Sequence, residues 1–504
     1  MKLQVIKNKI LYWLRALVAY TAYAAIVALF ASFFILQIPY VQTRITRTVL
    51  SSISEQTGFQ ASIKKLEIFW FDRLRITGLK LTDPEGNDLF DIQSLRLNFT
   101  FNGLFQGRAY ALDAVLIDSA KVHLATIQEN DSSRNLNINV FIHRLSTKPP
   151  KATSRAPILI FGEVLLKNGL FIYQTDGDSI KGGFDYNHFR AAIADAEIQR
   201  LLIQDDTVSM NVLSLQAKEL NSGFAIHQLR TFFRFSDYGL EFPGIQLLAG
   251  KSYIADTVVF RFTGQNDLDS FIDSVHAEIN FHQALIHPAD LALFAPGLEK
   301  IEQPFRLTGK ARGKISDFKL RNMDLQLGNT RLTGTLSMDG LPDIDETFIV
   351  AELGNSTLDL NDLAFLFNEQ TIQQLNNLGV VKFNGQFLGY PNDFVANGHF
   401  TGRIGSIRSD INLKINETDP GLSSYSGKVS LEHFKLGVFV EDTVLFQEVS
   451  MEGKINGKGL SLETADFYLD GNIDQLGIKG YNYSGISTNA RFSNQFFVGS
   501  LAVK

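Results

Sequence analysis

FNGQFLGYPNDF, Phe383 to Phe394, decides how this chain is read, because LTGKARGKISDF, Leu307 to Phe318, repeats its pattern 76 residues earlier. Both segments place glycine third and seventh and close on Asp-Phe. A third copy, MEGKINGKGLSL, starts 68 residues later at Met451 and aligns Leu462 with Phe318 and Phe394. The repeat is therefore marked by Gly309, Gly313, Gly385, Gly389, Gly453 and Gly457, with no catalytic residue type inside it. Glycine within a strand marks a bulge, a bend or a close backbone approach, which a strongly curving sheet needs at intervals.

Working outward, each copy follows a strand-like run: VHAEINF from Val275, IVAEL from Ile349 and GKVSLEHF from Gly427. Short amphipathic helices are expected between run and glycine pair, in HPADLALFAPGLEKIEQPF (Leu291, Phe294, Leu298, Ile301) and LNDLAFLFNEQTIQQLNNLG (Leu363, Leu366, Ile372, Leu375, Leu378). The repeats fall near 275–345, 349–420 and 427–504, inside a β-groove region spanning 158–504. Repetition of this kind suits an array that grows by hairpins, each unit packing mainly on its neighbours.

Upstream, 59–145 forms an N-terminal β region. ASIKKLEIFWF, LRITGLKLTD, FDIQSLRLNFTF and LDAVLIDSAKVHLATI alternate with period two, separated by turn signals such as DPEGND from Asp83. Leu95, Leu97, Phe99 and Phe101 share one face of SLRLNFTF; the same alternation places Val258, Phe260 and Phe262, then Leu325 and Leu327, then Phe467 and Leu469 on apolar faces. Residues 146–157, STKPPKATSRAP, read as a Pro/Lys loop.

Ala16 to Tyr40 contains no charged residue. As a helix it spans roughly 38 Å, more than the ~30 Å hydrocarbon core of a bilayer. Lys2, Lys7, Lys9 and Arg15 precede it and Arg44 and Arg47 follow, which favours a cytoplasmic N-terminus. The apolar stretch is too long for a signal peptide, and bulky Phe33, Phe34, Ile35 and Leu36 stand where a small-x-small cleavage site would be, so residues 1–40 are expected to be a tip and uncleaved anchor. Val41, Ile45, Val49, Leu50 and Ile53 then give 41–58 an amphipathic helix, whose apolar face has two seats open to it: the membrane surface, or the first strand.

The remaining composition excludes more than it names. A net charge of −6 offers no basic stripe for nucleic acid, and the absence of cysteine removes disulfides, thiolate metal sites and cysteine nucleophiles. His276, His282 and His287 lack carboxylates at ligand spacing, DPEGNDLFD lacks the calcium-loop pattern, and the pairs Asp205-Asp206 and Glu441-Asp442 are expected to point to opposite faces of strands. The expectation is a non-enzyme with no metal and no cofactor. A long sheet with one apolar face can fold into sandwiches, close into barrels, or curl into a trough whose apolar interior needs an occupant such as acyl chains.

The N-terminal anchor, LKLTDPEGNDLFDIQSLRLNF, GLFQGRAYALDAVLIDSAKVHL and the FNGQFLG-type repeats together resemble the AsmA-like family of Gram-negative envelopes, specifically the N-terminal portion of TamB-type translocation and assembly module proteins. The resemblance implies an inner-membrane anchor, a taco-like antiparallel β groove in the periplasm, phospholipids as cargo, and an outer-membrane β-barrel protein as partner. Two functions follow as expectations: lipid transfer between the membranes, or scaffolding of outer-membrane protein insertion. TamB-type chains are commonly longer and end in a further domain, so the chain is expected to be either a fragment or a short relative whose last strand is an exposed edge.

Overall fold

The computed structural model describes residues 2–503 except 70–71, 101–108, 131–132, 146–157, 177–183, 186, 265–266, 268–269, 294–301, 360, 363–378, 417, 461–463 and 494–495. The expected Pro/Lys loop, Phe101, Leu462, residues 294–301 of the first expected repeat helix and nearly all of the second lie outside the described residues. The chain is mainly β with an apolar N-terminal helix, and it divides into two compact units, Met1–Ile226 and His227–Lys504.

The first unit opens with α1 (Lys2–Leu36), whose Tyr12–Ser32 segment is long and apolar enough to cross a membrane and is not buried against anything. Pro39 cannot donate a backbone hydrogen bond, so the helix stops and α2 (Pro39–Thr57) begins with proline in its first turn. Gly58, at φ 76°, ends α2 by donating its N–H to the Ser54 carbonyl at 2.9 Å. Next come β1 (Gln60–Ser62), β2 (Lys65–Phe69), β3 (Arg73–Thr82), β4 (Asp88–Asn98) and β5 (Ala109–Asn130). β1 and β2 pair with successive halves of β3, so together they form one interrupted edge strand.

The outer edge of that strand is satisfied by α2, through polar side chains. The Ile68 N–H donates to Gln42 Oε1 at 2.7 Å, and the Leu66 N–H to Thr43 Oγ1 at 3.2 Å. Arg47 donates to the Lys64 carbonyl at 3.3 Å, and the Ala61 N–H to Ser54 Oγ at 2.9 Å. A bare edge exposes a row of unpaired backbone groups; here helix side chains stand in for a neighbouring strand.

β6 (Ser133–Leu136) forms a hairpin with the end of β5, α3 (Asn137–Leu145) follows, and β7 (Ile158–Gln174) returns parallel to β5. This departs from the all-antiparallel expectation: the connection through α3 brings the chain back to the start of β5, and a parallel neighbour requires such a crossover. β8 (His188–Gln204) and β9 (Thr207–Glu219) continue antiparallel. The core of this unit lies where α3 covers the sheet, with Phe59, Leu81, Leu89, Ile127 and Val140 fully or nearly buried and Phe141 set edge-on to Phe59 at 5.1 Å. Asp83 of the acidic turn is buried there, accepting from the Glu85 and Asn87 N–H groups and from Asn137 Nδ2. That turn is thus a structural joint to the start of α3.

The second unit is an antiparallel meander: β10 (Ala225–Ser236), β11 (Gly239–Ala249), β12 (Ser252–Arg261), α4 (Phe271–Ser274), β13 (His276–Ile286), α5 (Pro288–Leu291), β14 (Phe305–Lys314), β15 (Asp317–Leu327), β16 (Thr330–Asp339), β17 (Phe348–Asp359), β18 (Val380–Tyr390), β19 (Asp393–Gly402), β20 (Gly405–Lys414), β21 (Ser424–Lys435), α6 (Leu436–Phe439), β22 (Phe446–Lys458), β23 (Asp466–Ile478), β24 (Tyr481–Ser493) and β25 (Phe496–Val503). From β11 to β25 each strand pairs with the next, and among the described residues this ladder stays open. The repeated glycine pairs fall in β14, β18 and β22, every fourth strand.

Connections follow the same four-strand rhythm. The tight β11–β12 turn, with Gly250 at φ 55°, is held by Asp290, whose Oδ2 accepts from the Lys251 N–H at 2.9 Å and Ser252 Oγ at 2.6 Å. Four strands on, the β15–β16 turn with Gly328 at φ 56° is held by Asp362, accepting from the Asn329 and Thr330 N–H groups at 2.8 Å each. Asp290-Leu291-Ala292 and Asp362-Leu363-Ala364 are thus a second repeated phrase, 72 residues apart.

Candidate functional site: the apolar face

Register carries the apolar side chains straight across the ladder. Opposite Gly313 lies Phe318, then Met338, then Ile349; Gly389 sits opposite Phe394, which pairs with Leu413, and Gly457 opposite Phe467, which pairs with Phe492. A neighbouring row runs Val258, Ile279, Ala311, Leu320, Leu336, Ala351 and Phe387. It goes on through Ala396, Ile411, Gly427, Ile455, Leu469 and Ala490. This row has no side chain that can hydrogen-bond, and the first has Tyr425, whose phenol is pushed up by burial and then by Asp466.

The glycines explain themselves in this register. A Cβ on Gly457 would stand 2.3 Å from Phe467 Cβ, and one on Gly389 2.6 Å from Phe394 Cα. Gly389, at φ 140°, and Gly313, at φ 135°, also hold a backbone conformation that side-chain-bearing residues avoid. Each glycine clears space for the ring beside it. The third copy is therefore corrected: the residue opposite its second glycine is Phe467, preceded by Asp466 as Phe318 is by Asp317 and Phe394 by Asp393. A longer β22–β23 connection displaced the match to Leu462.

Of the expected face residues, Leu95 and Leu97 lie in matching rows of the first unit, Leu95 between Ile76 and Ile117 and Leu97 between Leu74 and Val115. Phe99 follows β4, donating its N–H to the Asp72 carbonyl at 2.8 Å. Val258 and Phe260 belong to the second unit's rows, and Phe262 is buried at the end of β12 with its ring 6.4 Å from that of Phe235. Leu325 and Leu327 pair with Leu307 and Phe305, and Phe467 and Leu469 pair with Gly457 and Ile455.

Sequence reading missed which residues join them. Phe318 and Leu320 are even-numbered, Met323, Leu325 and Leu327 odd, yet all five line one face. Between Leu320 and Met323 the register shifts, with Asn322 at φ 51°. Comparable shifts accompany Gln283 in β13 (φ 49°), Asn355 in β17 (φ 51°) and His433 in β21 (φ 48°). Each bulge inserts a residue, bends its strand and returns the apolar set to the same side.

Alternate positions form a polar face: Lys319, Glu352, Gln386, Arg408, Asp410, Lys428 and Glu452 are exposed. A hollow of about 950 Å³ is lined by several of these charged residues, among them Arg408, which lies 3.7 Å from Glu432. Its lining carries four carboxylates, Glu352, Asp410, Glu432 and Glu452, against two cations, Arg408 and Lys428. Asp324 also belongs to the polar parts of the sheet, its carboxyl held below the usual range by hydrogen bonds from Arg331 at 2.8 and 2.9 Å. Asp359 is lowered first by the Asn329 amide, then, against the opposing effect of burial, by the Asn361 N–H and amide.

The apolar clusters draw on consecutive strands: Leu307, Leu320 and Met323 with neighbours from β13 to β17, and Ile404, Phe434, Val449, Ile473 and Ile486 with neighbours from β20 to β24 and α6. Neither contains side chains from a facing sheet. Most of the face is therefore only half-buried, covered by its own neighbours. Apart from the Tyr425 phenol, these two rows offer only non-directional apolar contact.

Among the described residues no group of three or more histidines and carboxylates could hold a metal ion. Asp205-Asp206 and Glu441-Asp442 lie in connections, contrary to the strand placement expected, and Asp442 Oδ1 accepts the Leu445 N–H at 2.8 Å. Comparison with models of known families, with curated proteins and with solved structures finds no match.

Proposed function

We propose that the chain is a membrane-anchored lipid conduit, related to the AsmA-like family, in which the apolar sheet face shields phospholipid acyl chains in transit between inner and outer membranes. The observation that carries this reading is the continuity of two apolar rows across successive hairpins, over which the described residues lay no second sheet and only the short helices α4 and α6. Each buried CH2 contributes about 0.8 kcal/mol irrespective of direction, so a chain can move along such a face without any one contact holding it. The positive-inside bias supports a periplasmic sheet with α1 in the inner membrane.

Scaffolding of outer-membrane barrel strands is the other reading, and it needs a free sheet edge. The β1–β2 edge is a poor candidate, because Gln42 and Thr43 already occupy it.

The two readings separate on the protein purified from membranes. Phospholipid should co-purify, and the double variant Phe387→Asp/Leu469→Asp should lose most of it, whereas Lys428→Asp on the polar face should not. Equal lipid in all three, or stoichiometric capture of a barrel protein without lipid, would overturn the conduit.

A further inference from the structure

α2 is amphipathic in an inverted sense. The side facing the sheet carries Gln42, Thr43 and Thr57, all buried, while Ile45 and Val49 remain 50% and 53% exposed. Ile38, just before the helix, is 48% exposed, and Val41 is half-buried. At four-residue spacing Val41, Ile45 and Val49 form a single stripe along one flank. Water would normally take the polar face and the protein the apolar one. Here the demand of a bare strand edge for hydrogen-bond partners has claimed the polar side, and the described residues leave the stripe uncovered.

Position names the occupant. Only Gln37 and Ile38 separate α2 from α1, and α2 starts about two helical turns past the Tyr12–Ser32 segment that is long and apolar enough to span a bilayer. At the same end Phe69 is 38% exposed, adjoining the Ile68 that Gln42 holds. Charge agrees: between Arg44 and Arg75 the sequence has six basic side chains against three acidic ones, suited to anionic headgroups.

We infer that α2 lies in the surface of the same bilayer that α1 crosses, with Ile45 and Val49 in the headgroup–acyl boundary, and that it thereby docks the β1–β2 edge at the lipid surface. An interfacial helix buries its apolar side roughly 5–10 Å below the headgroups. The inference rests on α1 being a membrane span, part of the proposed function, and is independent of what the sheet carries.

The chain has no cysteine, so a single introduced one can be labelled uniquely. Spin labels on Ala24→Cys, Ile45→Cys, Val49→Cys and Ser51→Cys, in full-length protein reconstituted into vesicles of zwitterionic and anionic phospholipid, report depth by collision with oxygen or with a water-soluble nickel chelate. Labels at 45 and 49 should share the oxygen preference of the label at 24, with nickel collisions several-fold rarer than at 51, a third of a turn round the helix from 45 and nearly half a turn from 49. Nickel access at 45 and 49 equal to that at 51, with 24 still in lipid, would overturn the inference alone. Nickel access at 24 would instead remove the membrane span and the proposed function with it.

Discussion

The two units answer differently the question of what to do with an apolar sheet face. In the first, long-range side chains close it locally: α3 sets Val140 and Phe141 on Phe59, Leu81 and Leu89, while Asn137 ties down the Asp83 turn. In the second, the clusters are made from neighbouring strands with short helices at the ends, four strands repeat, and among the described residues no second sheet is laid over the rows. One unit stores its stability in a sealed joint; the other spreads it along a ladder in which each hairpin supports the next.

The sharpest way to break this contrast is at the joint. Phe59→Ala removes a fully buried ring and should cost about 3–5 kcal/mol, seen as a large fall in the denaturant midpoint, whereas Phe383→Ala on the half-buried ladder face should cost clearly less. Equal costs would mean that the two units are stabilised alike.

A smaller effect is expected at the repeat. Gly457→Val drives a side chain into Phe467 and should destabilise by about 1–3 kcal/mol, as overpacking does, with hydrogen exchange accelerating in β22 and β23 but not around Phe59. Spread of the exchange into the first unit would show the ladder's local character to be wrong.

Next comes the rim. Asp362→Ala leaves the Asn329 and Thr330 N–H groups without their carboxylate and should cost about 1–2 kcal/mol, and Asp290→Ala should behave alike at the earlier turn. A neutral result at both would remove the second repeated phrase from the account of stability.

The smallest effect concerns pH. Because Asp324 has a folded-state pKa below its unfolded value, near 3.9, its pairing with Arg331 stabilises the fold above that value, and this contribution is lost as pH falls through the folded pKa. Denaturation midpoints measured from pH 5 to pH 3 should therefore fall less steeply for Arg331→Gln than for the natural chain.

How far these features could be read from sequence depends on how local their causes are. The membrane-length helix, its stop at Pro39 and the end of α2 at Gly58 follow from composition and two backbone rules. Phe383 to Phe394 shows its glycines, its turn and its alternation directly. What fails is any reading that counts by twos through a bulge: Asn322, Gln283, Asn355 and His433 each reverse the parity of their strand, and although asparagine and histidine tolerate positive φ better than most residues, their type alone does not say which of them will adopt it. The parallel β5–β7 pair depends on where α3 returns the chain, and the inversion of α2 depends on an edge that its own sequence does not contain.

The most direct test places a photoreactive side chain on the two faces of the same ladder. Replacement of Phe318, Phe387 or Phe467 should give phospholipid adducts in intact membranes, and replacement of Lys319, Gln386 or Tyr468, one residue away on the opposite face, should not. Adducts at the second set as abundant as at the first, or none at any of the six, would contradict an apolar face occupied by acyl chains.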